Sequence, residues 1–317
     1  MKHRVYRSGI SPKRGPEGLG DMIADTKREI DVKALSPAIG AEIRGVDLSG
    51  PLDDETFAAI YRAWLDHGVL RFRDQRLSDP GLVAFSRRFG DLDLAPVKGH
   101  GQAAVEGAPE VFIISNVIAD GVSIGSLGDC ELQWHTDMAY TKAPPKASCL
   151  YSLSVTASGG ETGYIDMYAA YQALPAALKQ RIEGRTIKHD SLYTLDGYLR
   201  DGSGDRLDRG RIDVSKITGP SHPITRVHPE TGRKALYIGR RQNTYVNGLP
   251  VEPSEALLDA LWDHVVAQEP VASWHHTWRI GDLLIWDNRR VMHRRNAFPA
   301  DSRRIMHRTQ IKGDRPV

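Results

Sequence analysis

The chain has 317 residues, of which 40% are hydrophobic, with 42 lysines and arginines against 40 aspartates and glutamates. This is the composition of a folded globular protein, and a formal net charge of +2 gives no reason to expect nucleic acid or an anionic membrane as a partner. The opening Met-Lys-His-Arg-Val-Tyr-Arg-Ser-Gly lacks the apolar core of a secretory signal, and no apolar run reaches bilayer length, so a cytoplasmic protein is expected. Cys130 and Cys149 form no Cys-x-x-Cys pair. They read as free thiols in a reducing compartment and as small buried hydrophobes.

Residues 1–29 are polar, basic and rich in Gly and Pro, and read as a flexible N-terminal arm. Residues 30–317 read as a single domain. Ile30 to Leu35 alternates as a strand, and Gly40 to Leu48 as a second. Asp53 is placed to cap a helix that runs to about Asp66, with Phe57, Ile60, Tyr61 and Trp64 on its apolar face and Gly68 as its stop. Val69 to Arg73 reads as a strand, and Ser78-Asp79-Pro80 opens another helix.

Glu110 to Asn116 is a buried strand, followed by a glycine-punctuated loop over 121–128. Beyond the break at Ala143-Pro144-Pro145, Ala147 to Val155 resumes as strand. Ser158 to Gly163 is a turn leading into Tyr164-Ile165-Asp166, and Met167 to about Ile182 has helical periodicity. Residues 185–220 carry little pattern and read as a mobile lid or insert. Strand character returns over 222–227 and 235–239. A helix is expected over Glu255 to Val266, then strands over 274–279, 283–286 and 303–311. The fold class expected is α+β, mainly β: a double-stranded β-helix (jelly roll, cupin-like) core flanked by helices.

Chemistry concentrates first in Glu131-Leu-Gln-Trp-His135-Thr-Asp137. On an extended strand His135 and Asp137 share a face. An imidazole and a carboxylate on one side are two thirds of the 2-His-1-carboxylate triad of non-heme Fe(II). The last quarter offers His275, His276, His293 and His307 as a third ligand, and His293 follows a strand that enters a polar loop. Further on, Arg304, Met306 and Arg308 share a strand face, the two arginine stems being about 13 Å apart. An inward arginine is costly without an anion, and a dicarboxylate co-substrate supplies one. Arg289, Arg290, Arg294 and Arg295 around His293 read as a solvated rim, and His100, His189, His222 and His228 as structural or surface groups.

With these residues in order, the chain resembles the taurine dioxygenase-like (TauD/TfdA) family of Fe(II)/2-oxoglutarate-dependent dioxygenases from about residue 30 onward. The carriers are Trp134-His-Thr-Asp137, Gly159-Gly-Glu-Thr162, His222-Pro-Ile-Thr-Arg-Val-His-Pro229, Trp286-Asp-Asn288, His293 about 160 residues after the His-x-Asp, and Arg304 eleven residues after that. The resemblance implies His135, Asp137 and His293 as metal ligands and catalytic centre. It implies Thr162 and Arg304 at the distal carboxylate of 2-oxoglutarate, with Trp286 beside the iron, and Arg308 on an anionic group of the substrate. Asn116 and Glu131 are further candidate substrate contacts.

The implied cofactors are Fe(2+), 2-oxoglutarate and O2. The implied reaction hydroxylates an aliphatic C–H of a carboxylate, sulfonate, sulfate ester or phenoxy acid, with C–heteroatom cleavage where the hydroxyl lands beside a heteroatom, releasing succinate and CO2. The partners expected are a small-molecule substrate and copies of the same chain in a dimer or tetramer. Ala95 before Pro96-Val97, where sulfonate users carry a histidine, and Glu131, where they carry an asparagine, weigh against taurine itself. Two other readings stand beside this one: a non-catalytic jelly-roll sensor that binds metal, and a zinc hydrolase, for which no general base stands at a recognisable spacing.

Overall fold

A computed structural model of the protein describes residues 3–4, 30–95, 104–194, 198–200, 205 and 213–317. Most of the N-terminal arm, His100 and Pro96-Val97 lie outside the described residues, as do parts of the 185–220 insert.

The architecture is mainly β with five α-helices among the described residues. A large sheet runs in the order His3–Arg4, Asp31–Ala34, Ala41–Arg44, Val69–Phe72, Leu283–Asp287, Ala147–Ser154, Ile305–Ile311, Ala108–Ser115, Ala104–Val105. Its pairing is antiparallel except that Ala41–Arg44 runs parallel to Val69–Phe72, and Ser126–Leu127 parallel to Ala108–Ser115. A second sheet of four strands runs Leu132–His135, Val291–Arg295, Thr162–Asp166, Ser273–His276. From residue 132 onward the chain repeatedly crosses between the two sheets, and Tyr164 and Val291 of the smaller pack against Leu150, Trp286 and Met306 of the larger.

The helices form where their ends are satisfied. In α1 (Asp54–His67) the Asp53 carboxylate accepts from Thr56 N–H at 2.7 Å, and Gly68, at φ 71°, donates its N–H to Trp64 O. α2 (Asp79–Arg87) is capped by Ser78. The expected single helix from 167 to 182 is two: α3 (Met167–Ala173) and α4 (Ala176–Ile182). Pro175 lacks the N–H that would continue the first ladder, so it restarts a helix instead. α5 (Val251–Ala272) is longer than its clear amphipathic stretch and carries Pro270 in its last turn.

The stretch 222–227 divides between two small sheets. Within the proposed insert, Thr186–His189 is the central strand of a three-stranded sheet. No helix among the described residues is long and apolar enough to cross a membrane. Cys149 is buried, but Cys130 is exposed, against the expectation of a buried pair.

Several histidines are buried as neutral rings. Burial pushes His189 down to about 3 and His276 to about 4, although Asp282 sits 3.0 Å from His276 Nε2. Between those values and about 6.5 the unfolded chain binds more protons, so stability rises with pH. It is fully present above about pH 6.5 and lost as pH falls toward 4, at about 2 kcal/mol per ring by pH 5. A thermal melt series from pH 7.5 to 5.0 should show a steady fall; a flat melting temperature would contradict it.

Candidate active site

His135 ends the Leu132–His135 strand and is the direct cross-strand partner of His293, their ring centroids 4.2 Å apart. Asp137 is not on that strand as expected. The strand stops at His135, and the chain turns through Met138 at φ 49°. Asn288 makes the turn possible: its Oδ1 accepts Asp137 N–H at 2.9 Å, and its Nδ2 donates to Asp137 O and Pro145 O. The carboxylate still converges. Asp137 Oδ1 lies 3.8 Å from His135 Nε2 and 3.9 Å from His293 Nε2, and all three groups are buried.

The electrostatics favour cation binding. Desolvation holds His135 well below its usual value and His293 down at about 4, so both rings are neutral with lone pairs available near pH 7. Burial opposes ionisation of Asp137, but the Arg308 guanidinium, the two imidazoles and the Ser148 hydroxyl together hold its pKa below the usual carboxylate range. Ser148 Oγ donates to Asp137 Oδ2 at 3.0 Å, and Arg308 Nη1 to Oδ1 at 3.4 Å. His135 Nδ1 meets Gln133 O at 2.8 Å, which fixes Nδ1 as the protonated nitrogen and frees Nε2. Two neutral imidazoles and one carboxylate on one side of a cavity are the donor set of a 2-His-1-carboxylate Fe(II) site. Replacing Asn288 by alanine should weaken Fe(II) binding about 10- to 100-fold, read by metal titration, because the turn that aims Asp137 loses its brace.

The three donors open onto a cavity of about 430 Å³. Thr162, Arg304, Trp286, Arg308 and Glu131 line it too. Trp286 lies against His293, centroids 4.8 Å apart. Arg304 is 3% exposed, lies over Trp278 and Phe298, and has no carboxylate partner among the described residues; burial and the nearby Arg295 push it down to about 9. Thr162 Oγ1 accepts from Trp278 Nε1 at 2.9 Å. The turn before it needs glycine. A Cβ on Gly159, at φ 74°, would stand 2.5 Å from Ala297 O.

Asn116 does not line the cavity. Its Nδ2 donates to Ser302 O, and its Oδ1 accepts Arg304 N–H, so it positions the segment that carries Arg304.

The basic cluster around His293 is not a solvated rim. Arg289, Arg290 and Arg295 are buried; Arg289 pairs with Asp287 and Glu230, Arg290 with Asp166, and Arg295 donates to Leu127 O and Cys130 O. Their close spacing along the chain reads as surface charge because Glu230, Asp166 and the carbonyls of Leu127 and Cys130, which hold them, come from elsewhere in the chain. The readings of His222 and His228 as structural hold: His222 Nε2 meets Ala139 O and Thr141 O, and His228 Nε2 meets Asp287. Sequence reasoning missed Tyr140, Arg200 and Arg240 on the cavity wall. None sits in a regular strand or helix, so no periodicity marked it.

Comparison with known proteins agrees with this geometry. A family model for "Taurine catabolism dioxygenase TauD, TfdA family" matches residues 31–310. The (S)-phenoxypropionate/alpha-ketoglutarate-dioxygenase of Sphingobium herbicidovorans is 34% identical over 295 residues, covering 90% of this chain and 95% of that one. The alpha-ketoglutarate-dependent sulfate ester dioxygenase of Pseudomonas putida is 33% identical, covering 91% of each. Among solved structures, a taurine dioxygenase from Burkholderia xenovorans superposes with a TM-score of 0.71 at 33% identity, covering 91% of each chain. AAD-2, crystallised with Mn(II) and N-oxalylglycine, gives 0.70 at 27%, covering 90% of this chain and 98% of its own. The chain therefore belongs to the TauD, TfdA family of dioxygenases.

Proposed function

We propose that the protein hydroxylates an aliphatic C–H bond of a small anionic substrate, a phenoxy acid or a sulfate ester being the chemistries nearest to hand, within a single catalytic domain over 30–317. That it is an Fe(II)- and 2-oxoglutarate-dependent dioxygenase follows from its family and from relatives that are dioxygenases over nine tenths of their length. Those relatives leave no place for the non-catalytic sensor. The two sheets with their alternating crossovers support a jelly-roll reading of the core. The unpaired cysteines suit a reducing cytoplasm.

One observation carries the reading: a single cavity joins the His135, Asp137, His293 donor set to a buried guanidinium, Arg304, that no protein carboxylate neutralises among the described residues. His135 Nε2, His293 Nε2 and Asp137 Oδ1 would hold Fe(II). With 2-oxoglutarate and O2 the bound ion supplies oxidative decarboxylation, to succinate and CO2, coupled to oxidation of a C–H bond.

The protein's residues do the placing. Arg304 and Thr162 meet the distal carboxylate of 2-oxoglutarate, since a guanidinium offers a planar fork and Thr162, already accepting from Trp278, has its hydroxyl hydrogen to donate. Trp286 packs against His293 and limits its rotation. Arg308, whose Nη1 donates to Asp137 Oδ1, reaches the anionic group of the substrate, with Glu131 at the cavity wall to meet a hydroxyl or amine. The near-apolar stretch formed by Phe112, Ile114 and Leu150 seats the carbon skeleton.

The test is O2 uptake and succinate formation by the Fe(II) protein with 2-oxoglutarate and a panel of phenoxy acids, alkyl sulfates, sulfonates and small amines. Substrate-dependent succinate production with at least one acid is expected, and activity should return with Fe(II) and not Zn(II). No turnover with any member of the panel would overturn the assignment.

A further inference from the structure

Five arginines line the cavity, Arg200, Arg240, Arg295, Arg304 and Arg308, against two carboxylates, Asp137 and Glu131. Resting on the function proposed above, three have work: Arg304 takes 2-oxoglutarate, Arg308 takes one anionic group of the substrate, and Arg295 is held on backbone carbonyls. Arg200 and Arg240 are left over. Both sit against Tyr140, their Cζ atoms 3.7 and 5.5 Å from its ring centroid. Two positive charges thus stand no further apart than those distances together allow. The Nε of each is buried without a hydrogen-bond partner, and neither has a carboxylate partner among the described residues.

The contrast with other arginines is direct. Arg241, next along the chain, is claimed by Glu255 and Asp259 outside the cavity. Buried Arg289 and Arg290 each have an aspartate. Burial is the largest cause that lowers Arg240, and Arg200 and Arg308 add to it, against Tyr140 and Asp137, which raise it. Like charges held close together in a half-buried site, each with a buried Nε that has no partner, are unfavourable without a counter-ion, and a bound anion removes the penalty.

Charge balance points the same way. Five guanidiniums and Fe(II) bring seven positive charges, while Asp137, Glu131 and the two carboxylates of 2-oxoglutarate remove four. A monoanionic substrate leaves a surplus of two.

We propose that Arg200 and Arg240, set against Tyr140, form a second anion subsite in the cavity, so that the substrate carries two anionic groups, one for Arg308 and one for this pair. A carboxylate, sulfonate or phosphate fits the second position, since two guanidiniums reach its oxygens with charge-assisted hydrogen bonds and Tyr140 holds them in place by cation–π contact.

The test compares matched acids by calorimetric titration into the anaerobic Fe(II) protein saturated with 2-oxoglutarate: phenoxyacetate against 4-carboxyphenoxyacetate, and hexane-1-sulfonate against 6-sulfohexanoate. In at least one pair the added carboxylate should tighten binding about 30-fold. Arg200→Gln and Arg240→Gln should each cut that advantage to a few-fold, and Arg200→Lys and Arg240→Lys should restore part of it. The wild-type comparison stands alone should a variant not fold. No advantage in either pair overturns the proposal. So does an advantage that survives both glutamine variants, or a loss of affinity equal for both members of a pair, which would put all three arginines on one anion. The titration reads binding without turnover, so absence of O2 uptake would defeat the dioxygenase reading while leaving the affinity ratio to judge the subsite.

Discussion

Replacing Asp137 by alanine should lower substrate-dependent 2-oxoglutarate turnover by at least about a thousandfold, roughly 4 kcal/mol of lost transition-state stabilisation, and His135→Ala should do the same. Asp137 is the one charged donor of the three, and its Oδ1 lies within 3.9 Å of both imidazole Nε2 atoms. Removing it takes away the negative charge that offsets a divalent ion and leaves Arg308 without the carboxylate it donates to beside the two imidazoles. Fe(II) titration should therefore fail at concentrations that saturate the wild type. The control is His276→Asn: His276 is as buried as the ligands but pairs with Asp282, which also holds Arg73, and is not among the residues that line the cavity. It should depress the melting temperature while metal binding persists. Equal loss of metal binding in His276→Asn and Asp137→Ala would show that the triad variants act only through unfolding.

The triad was legible in the sequence for a reason that the structure partly revises. Strand parity pairs His135 with Asp137, yet only His135 is on a strand, and Asp137 is delivered by a turn braced from Asn288, 151 residues away in sequence. The spacing succeeded because a family pattern held the two together, not because period two continued through Asp137. On the last strand, Ile305–Ile311, Met306 is buried and Arg308 reaches the cavity as parity expects, while Arg304 stands just before the strand and lines the cavity all the same. Parity failed for Asn116, the residue after a well-marked strand, whose side chain is taken up by backbone groups at 302 and 304. The arginines around His293 and those at 200 and 240 show the wider limit. Whether a run of guanidiniums is solvated, paired or waiting for an anion depends on which carboxylates the tertiary fold brings near, and that information lies far away in sequence.

Arg304→Leu separates binding from folding more sharply than any ligand variant. The wild-type guanidinium is buried, pushed down to about 9 by desolvation and by Arg295, and pairs with no carboxylate among the described residues. A group in that condition destabilises the empty protein, so the leucine variant should melt at the same temperature or higher without 2-oxoglutarate. With 2-oxoglutarate the order should reverse. The wild type gains the binding free energy of the co-substrate on its folded state, and the variant gains little. Losing a buried, charge-assisted contact of 2–5 kcal/mol corresponds to an apparent 2-oxoglutarate requirement raised about 30-fold or more, with Fe(II) affinity held because the three donors are untouched. Arg304→Lys should fall between, since an ammonium keeps the charge but not the two-pronged fit. A leucine variant that melts lower than wild type in the absence of co-substrate, and still responds to 2-oxoglutarate with an equal rise, would mean that Arg304 packs the core between Trp278 and Phe298 and takes no part in holding the dicarboxylate.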